Sequence, residues 1–256
     1  MIECAIDDGI ATLTLANPPA NAFTDQGLSR LTSLIGELNR STHVHALVVT
    51  GQGDKFFSGG ADLKLFADGD KARARVMAQR FGMAFEALQN ARPVVIAAIN
   101  GYAMGGGLEC ALACDLRIAD ERAWMALPEP AVGLLPCGGG TQTLPWLVGE
   151  GWAKRMILTN ERVDAATALR IGLVEQVVGA GQAQGAALAL AQRALSLSPR
   201  AVGFCKELIH EARRGTPRHA ALVKERELFV DLFDGADQRE GVNAFLEKRK
   251  PRWTNG

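Results

Sequence analysis

Two kinds of hydrophobic pattern run along the chain and predict different elements. Residues 2 to 15 alternate apolar and polar side chains around an Asp-Gly step, which is typical of two short strands joined by a hairpin turn. Apolar residues recur at helical spacing over 24 to 40 and 70 to 90, whereas short apolar runs at 45 to 50 and 94 to 99 are typical of buried strands. The same reasoning predicts strands at 115 to 119 and 174 to 178, and helices near 150 to 158 and 164 to 170.

The C-terminal part of the chain has a different pattern. From about residue 182 onward the apolar positions follow helical spacing almost throughout. The predicted helices lie near 182 to 196, 199 to 213, 217 to 233 and 236 to 248. Alternating strands and helices before this point indicate layered α/β structure. We therefore expect an α/β core over residues 1–195 and a helical C-terminal region over residues 196–256.

Composition narrows the class of protein further. The chain has 48% hydrophobic and 22% charged residues, and its 28 basic residues balance 28 acidic ones, so no general field attracts nucleic acid or an anionic membrane. Five cysteines without CxxC spacing predict neither a disulfide framework nor a zinc site, and favour a reducing compartment. Charged residues interrupt every apolar run, and the N-terminus has no basic leader. These features predict a cytoplasmic protein without a membrane span.

Three consecutive glycines mark the most informative segment. Gly105, Gly106 and Gly107 follow the predicted strand at 94 to 99 and precede the helical run LECALAC. Each glycine weakens a first helical turn by roughly 1 kcal/mol relative to alanine, so the backbone here must come close to something. The free N–H groups of a first helical turn suit a phosphate or a developing oxyanion. Close packing of the helix against a strand is the alternative explanation of the glycines, and it stays open.

Glu109 lies within this helix among small apolar neighbours. Leucine, cysteine and alanine surround it in sequence, so its carboxylate is predicted to be buried. Burial without a paired charge raises the pKa of a carboxyl group, which general acid and base catalysis near neutral pH requires. The alternative is a glutamate that only favours a helix N-terminus.

Two further glycine-containing segments add possible partners. FFSGGADLK at 56 to 64 follows a predicted strand, precedes a helical pattern and can present a second backbone N–H. PEPAVGLLPCGGGTQ at 128 to 142 places Glu129 between two prolines. Taken alone, Glu129 is typical of an ordinary acidic residue in a turn.

Several common functional motifs are missing from the sequence. It contains no GxGxxG, GxxxxGK[ST] or GxSxG segment, which argues against dinucleotide, P-loop and serine-hydrolase sites. The four histidines have no metal-ligand spacing, so no metal site is predicted.

At this point the sequence resembles the crotonase family, the enoyl-CoA hydratase/isomerase superfamily, over nearly the whole chain, and it is most similar to the hydratases. The segments that carry the resemblance are NPPANAF at 17 to 23, FFSGGADLK, NGYAMGGGLE at 100 to 109, PEPAVGLLPCGGGTQ, ALRIGLV at 168 to 174 and EGVNAFLEKRKPRW at 240 to 253. The resemblance implies a core of repeated ββα turns. It also implies a homotrimer or a homohexamer built as a dimer of trimers, in which the C-terminal helices support the assembly and cover the active site.

The resemblance also implies roles for individual residues. The N–H groups of Ala61 and Gly106 would form an oxyanion hole for a thioester carbonyl, and Glu109 and Glu129 would be the acid/base pair. The implied coenzyme A contacts are Ala20, Ala22, Ala61, Asp62, Leu63, Lys64, Gly106 and Lys248. No cofactor is implied beyond the CoA moiety of the substrate.

The implied activity is hydration of a 2-enoyl-CoA to a 3-hydroxyacyl-CoA, as in fatty acid β-oxidation. An enoyl-CoA isomerase is the nearest rival, although it would need only one glutamate, and a hydrolase or carbon–carbon lyase on the same scaffold stays open. A non-catalytic acyl-CoA-binding or RNA-binding protein is the alternative outside enzymes. The sequence leaves open the acyl chain, and also whether Phe57 and Trp146 form its pocket or fill the core.

Overall fold

A computed structural model describes residues 1–254, and two sheets organise its core. The larger sheet has the strand order β1-β2-β3-β5-β7-β10, and the smaller sheet has the order β4-β6-β8-β9. The strands of the larger sheet are Ile2–Asp7 (β1), Ile10–Leu15 (β2), Ala46–Gly51 (β3), Val94–Ile99 (β5), Leu116–Asp120 (β7) and Gln176–Val178 (β10). Those of the smaller sheet are Phe56–Ser58 (β4), Tyr102–Met104 (β6), Trp124–Ala126 (β8) and Val163–Asp164 (β9).

Helices follow the strands in a regular order. Their bounds are Asp25–Arg40 (α1), Lys71–Gln89 (α2), Gly106–Ala113 (α3), Gly140–Leu158 (α4), Ala165–Ile171 (α5), Ala183–Ala194 (α6), Pro199–Glu211 (α7), Arg218–Asp231 (α8) and Ala236–Leu246 (α9). Strands β3 and β4 precede α2, β5 and β6 precede α3, and β7 and β8 precede α4. In each turn the first strand joins the larger sheet and the second joins the smaller one. The expected α/β core of repeated ββα turns is therefore confirmed.

The central strands β3 and β5 of the larger sheet are covered on both faces, which explains why they are almost wholly apolar. One face contributes side chains such as Leu47, Val49 and Ile99 to the main core, which also contains the buried side of α1 and α2. The other face, with Val48 and Ile96, packs against the alanine-rich side of α6. Strands β2, β3, β5, β7 and β10 pair in parallel, whereas β1 pairs with β2 as the antiparallel hairpin that the sequence predicts.

The smaller sheet is the main feature that the hydrophobic pattern did not predict. Its strands have only two or three residues, too few to show alternation. The helix expected near 150 to 158 begins earlier, at Gly140, and bends at Gly149, whose φ is 77°. The segment at 56 to 64 does precede a helix, α2, and a 3₁₀ turn, Leu63–Phe66, lies between its glycines and that helix.

The C-terminal helices begin after the loop that separates α6 from α7. An ion pair ties α7 to the core, because the Lys206 ammonium donates to Asp115 Oδ2 at 2.7 Å and to the Pro93 carbonyl at 3.2 Å. Both side chains of this pair are largely buried, so breaking it would leave an uncompensated charge. Among the described residues, no helix combines the length and the apolar character needed to cross a bilayer.

Candidate active site

A cavity of 720 Å³ lies at the carboxyl ends of the smaller sheet's parallel strands. Its wall includes Gly59 after β4, Gly105 after β6 and Pro128 after β8, together with apolar side chains of α2. We call it the main cavity. The four residues that the sequence put forward for catalysis all line it: Ala61, Gly106, Glu109 and Glu129.

Two of the residues that line this space, Ala61 and Gly106, have backbone N–H groups available for a ligand. Gly106 is the first residue of α3, where an N–H has no partner within the helix, and Ala61 pairs as a single parallel bridge with Phe23. Neither N–H donates to another segment within residues 1–254. The two segments come close at Gly60, where a Cβ atom would lie 3.0 Å from the Gly106 nitrogen. Glycine at this position, with φ of +88°, lets the two donors approach one another.

The glycine run before α3 serves both of the purposes that the sequence left open. A Cβ atom on Gly107 would collide with the backbone carbonyl of Ser58, so this glycine allows close packing of α3 on β4. Gly106 instead lines the main cavity, and Gly105 lies beside Glu129 with a φ of +54°. Packing and ligand access are therefore divided among neighbouring glycines rather than being alternatives.

Glu109 is buried, as its apolar neighbours in the sequence predicted, with 2% of its surface exposed. Its Oε1 atom accepts hydrogen bonds from the N–H groups of Gly138 and Gly140, each at 2.8 Å. Burial raises the pKa of the Glu109 carboxyl, and these backbone donors oppose the rise because they stabilise the charged form. The carboxyl is therefore fixed in position by the backbone while its proton affinity is increased.

Glu129, in the same cavity, has a different environment. It begins a 3₁₀ turn, Glu129–Val132, and its Oε1 would lie 2.9 Å from a Cβ atom on Gly105. Its Oε2 atom is buried and accepts no hydrogen bond from residues 1–254. Burial, supplemented by the nearby Glu109 charge, raises the pKa of Glu129 to about 7. A carboxyl with an unpartnered oxygen and a near-neutral pKa is suited to exchange protons with a bound molecule.

The glycine run at 138 to 140 is evident in the sequence, but its contact with the Glu109 carboxylate is not. A Cβ atom on Gly138 would lie 2.5 Å from the Phe85 ring, and one on Gly140 would lie 3.0 Å from Glu109 Oε1. Side chains at these positions would displace the carboxylate. Cys137 was also missed, although it lines the main cavity. Burial, together with the charges of Glu109 and Glu129, raises the pKa of its thiol to about 11. Its place before three glycines was the available signal.

The segments expected to bind CoA lie side by side at the mouth of this site. Gly59 donates from its N–H to the Ala20 carbonyl at 2.7 Å, and Asn17 donates to the Ala22 carbonyl at 2.7 Å. Asp62 caps the 3₁₀ turn by accepting from the Lys64 N–H at 3.1 Å. Ala61 and Leu63 line the main cavity, and the Leu63 and Lys64 side chains are exposed.

Three other residues lie elsewhere. Lys248 follows α9 and does not line the main cavity within residues 1–254. Phe57 is completely buried in the core, so it does not shape the pocket. Trp146 is 62% exposed and lines a second cavity, which adjoins the main one at Glu109.

Comparison with known proteins agrees with this arrangement. A family model described as enoyl-CoA hydratase/isomerase matches residues 5–256. The short-chain-enoyl-CoA hydratase of Clostridium acetobutylicum is 37% identical, with 94% of this chain and 92% of that protein covered. The crotonyl-CoA hydratase of Syntrophomonas wolfei is also 37% identical, with 95% and 94% covered.

Solved structures show the same fold. Pseudomonas aeruginosa DspI is 65% identical, with a TM-score of 0.96 and coverage of 98% of this chain and 96% of DspI. The enoyl-CoA hydratase of Bacillus anthracis is 34% identical, with a TM-score of 0.95 and coverage of 100% and 99%. The resemblance seen in the sequence is thus confirmed, and the chain belongs to the enoyl-CoA hydratase/isomerase family of enzymes, with the crotonase fold.

Proposed function

We propose that the protein hydrates a 2-enoyl-CoA to a 3-hydroxyacyl-CoA in the main cavity. The observation that carries this proposal is the meeting of two free backbone N–H groups and two glutamates around one space of 720 Å³. The pKa of both glutamates is raised, as acid and base groups at neutral pH require. Relatives with similar sequences are named enoyl-CoA and crotonyl-CoA hydratases, which supports the same reaction here.

The Ala61 and Gly106 N–H groups hold the thioester oxygen. When water adds to C3, negative charge collects on that oxygen, and preorganised donors stabilise it without reorganising. Removing one such donor typically costs about 3 to 4 kcal/mol of transition-state stabilisation, so this contribution is the largest single one. The CoA moiety lies along the backbone of Ala20, Ala22 and residues 61–64, where exposed Lys64 adds a positive charge near the phosphates.

The two glutamates divide the proton transfers. Glu109, which two backbone donors hold in position, takes a proton from water while the water oxygen bonds to C3. Glu129, whose pKa is about 7, donates a proton to C2 as the double bond is lost. A proton then passes from Glu109 to Glu129 and completes the cycle. No net oxidation occurs, and the product contains the substrate and one water.

The same scaffold supports other reactions in principle, because the fold and the oxyanion hole do not fix the chemistry. An isomerase needs one glutamate to move a proton between C2 and C4, so the presence of both carboxyls in one cavity favours hydration. Mass spectrometry of the product distinguishes hydration from isomerisation, hydrolysis and carbon–carbon cleavage, because hydration adds the mass of one water molecule to the substrate. RNA binding is disfavoured by a net charge of zero, and a flat nucleic-acid titration at moderate salt would exclude it.

We also propose that the chain assembles as a homotrimer or as a dimer of trimers. The C-terminal helices expose several large apolar side chains that a monomer would leave in water and that contact with another copy would cover. Its exposed members are Val223, Phe229, Val230, Phe233, Phe245 and Leu246. Light scattering coupled to gel filtration tests this assembly. Such an assembly could also bring Lys248 to the CoA of a neighbouring copy, because Lys248 does not line its own main cavity.

The first experiment follows the absorbance of the conjugated thioester of crotonyl-CoA and of a longer 2-enoyl-CoA, with the products identified by mass. Hydration of both substrates is expected, because apolar side chains of α2 and the 134–135 segment line the main cavity beside the glutamates. If the absorbance stays constant while the protein still binds CoA thioesters, the hydratase assignment is wrong.

A further inference from the structure

A second cavity reaches Glu109 from the side away from the apolar wall. It has a volume of 290 Å³ and lies between α2, α4 and α7. Glu109 and Cys137 line both this cavity and the main cavity, so the two spaces meet at the carboxyl group. We call the second space the polar cavity.

The two cavities differ in what they can hold. The α2 wall of the main cavity consists of Ala74, Ala78 and Phe81, which suit an acyl chain. The polar cavity has Phe85 and Trp146 in its wall, but it also has amide, hydroxyl and charged groups that can hydrogen-bond to water. These groups belong to Glu86, Gln89, Gln142, Thr143, His210 and Arg213. A water molecule in a cavity needs two to four polar partners and only roughly 10 to 15 Å³ of accessible space, so the polar cavity has room for several.

Hydration requires water to reach C3 while the substrate occupies the main cavity. When a thioester occupies the main cavity, its carbonyl lies against Ala61 and Gly106 and its acyl chain fills the apolar part. Water that must reach C3 would then have to enter past the bound substrate. Glu109 is 2% exposed, yet it also lines the polar cavity, which lies outside the apolar part of the main cavity.

We propose that the polar cavity is the route by which water reaches Glu109 while the acyl-CoA stays bound. This inference rests on the proposed hydratase function and adds a role for residues outside the catalytic pair. Cys137 lines both spaces, and its thiol is neutral at physiological pH because its pKa is about 11. A neutral side chain at the junction admits water without binding an ion.

Filling the polar cavity from either wall tests the route. Thr143, on α4, and Gln89, on α2, line the polar cavity but not the main cavity. In Thr143→Phe and Gln89→Phe, kcat for crotonyl-CoA hydration is expected to fall about fivefold to tenfold, with KM unchanged. Thr141→Phe is the matched control, because Thr141 is exposed on the same helix and lines neither cavity, and Thr143→Ser should retain the wild-type rate.

A ligand that needs no water separates a supply defect from damage to the site. The enolate of acetoacetyl-CoA can occupy the same pair of N–H groups, and its affinity should be unchanged in the two filled variants. Wild-type hydration rates in folded Thr143→Phe and Gln89→Phe would overturn the water route, and so would a parallel loss of acetoacetyl-CoA affinity. Failure of the unmodified protein to hydrate any enoyl-CoA would instead overturn the proposed function, and it would be seen before any variant is made.

Discussion

The two glutamates of the main cavity differ in almost everything except their chemical group. Glu109 lies in the first turns of a buried helix, and two backbone N–H groups from a distant glycine run fix one of its oxygens. Glu129 lies on a short 3₁₀ turn, and its buried Oε2 accepts no hydrogen bond within the described residues. Burial raises the pKa of both carboxyls, to about 7 for Glu129, and backbone donors oppose the rise at Glu109.

This difference shows how one site can contain a base and an acid that are both glutamates. Hydrogen bonds to a carboxylate favour its charged form, whereas an unpartnered buried oxygen gains from holding a proton. The Glu109 charge also raises the pKa of Glu129. Because two negative charges so close together repel, the pair tends to keep one proton rather than ionise completely. The pair is therefore expected to work as a unit with one proton.

The largest expected effect comes from removing either carboxyl. Glu109→Gln and Glu129→Gln should each lower kcat for hydration by about 100-fold or more, the scale of a lost general acid or base. The double variant should be only slightly slower than either single one, because the groups act in one proton cycle. Steady-state kinetics with crotonyl-CoA measures this, and near-normal turnover in either single variant would contradict the two-carboxylate mechanism.

The sequence predicted Glu109 better than Glu129 for a physical reason. Burial of Glu109 follows from its neighbours in a single helix, which any sequence window contains. The surroundings of Glu129 come from Gly105, which lies 24 residues earlier by count along the chain, and from Glu109, so only the folded chain creates its raised pKa. For the same reason the contact between Glu109 and the glycine run at 138 to 140 could not be predicted from local pattern.

The elements of the fold also differ in whether local sequence pattern predicts them. The long strands of the larger sheet and the helices α1, α2 and α6 to α9 were predicted because their hydrophobic periodicity extends over many residues. The two- and three-residue strands of the smaller sheet have no such periodicity, yet their ends position the main cavity. Family resemblance, rather than pattern, supplied the roles of Ala61 and Gly106.

The pH dependence tests whether the pair holds one proton. Above about pH 7 the Glu129 carboxyl loses its proton, so kcat/KM for hydration should fall towards tenfold per pH unit. Dehydration of 3-hydroxybutyryl-CoA needs the same total number of protons on the pair and should fall over the same range. The residual activity of Glu129→Gln should not show this decrease at alkaline pH. A wild-type rate that stays constant from about pH 6 to about pH 9 would rule out Glu129 as the titrating acid.

The glycine run gives a smaller and more selective effect. In Gly140→Ala the new methyl would lie 3.0 Å from Glu109 Oε1 and 2.9 Å from Leu127 Cδ1, so the carboxyl must shift. We expect kcat to fall about 10- to 100-fold, as for other small displacements of a reacting group. Gly151→Ala, on the same helix with no atom within 4 Å of its added methyl, is the control and should keep full activity. Equal activity of the two variants would show that the backbone clamp on Glu109 is dispensable.

The smallest expected effect concerns stability, and its sign follows from the raised pKa of Glu129. The folded protein keeps a proton up to about pH 7 that the unfolded chain loses near its ordinary pKa, so this group stabilises the fold less as pH rises through that window. In Glu129→Gln this loss is absent. Relative to wild type, the variant should therefore gain about 1 to 2 kcal/mol of unfolding free energy between pH 5 and pH 8, since partial solvent exposure reduces the full value of the shift. Urea unfolding at both pH values measures the difference. Glu121→Gln is the control, because it makes the same change at an exposed glutamate. A difference of zero would mean that the environment of Glu129 disfavours its charge no more than water does, and the contrast between the two glutamates would then lie in their hydrogen bonds alone.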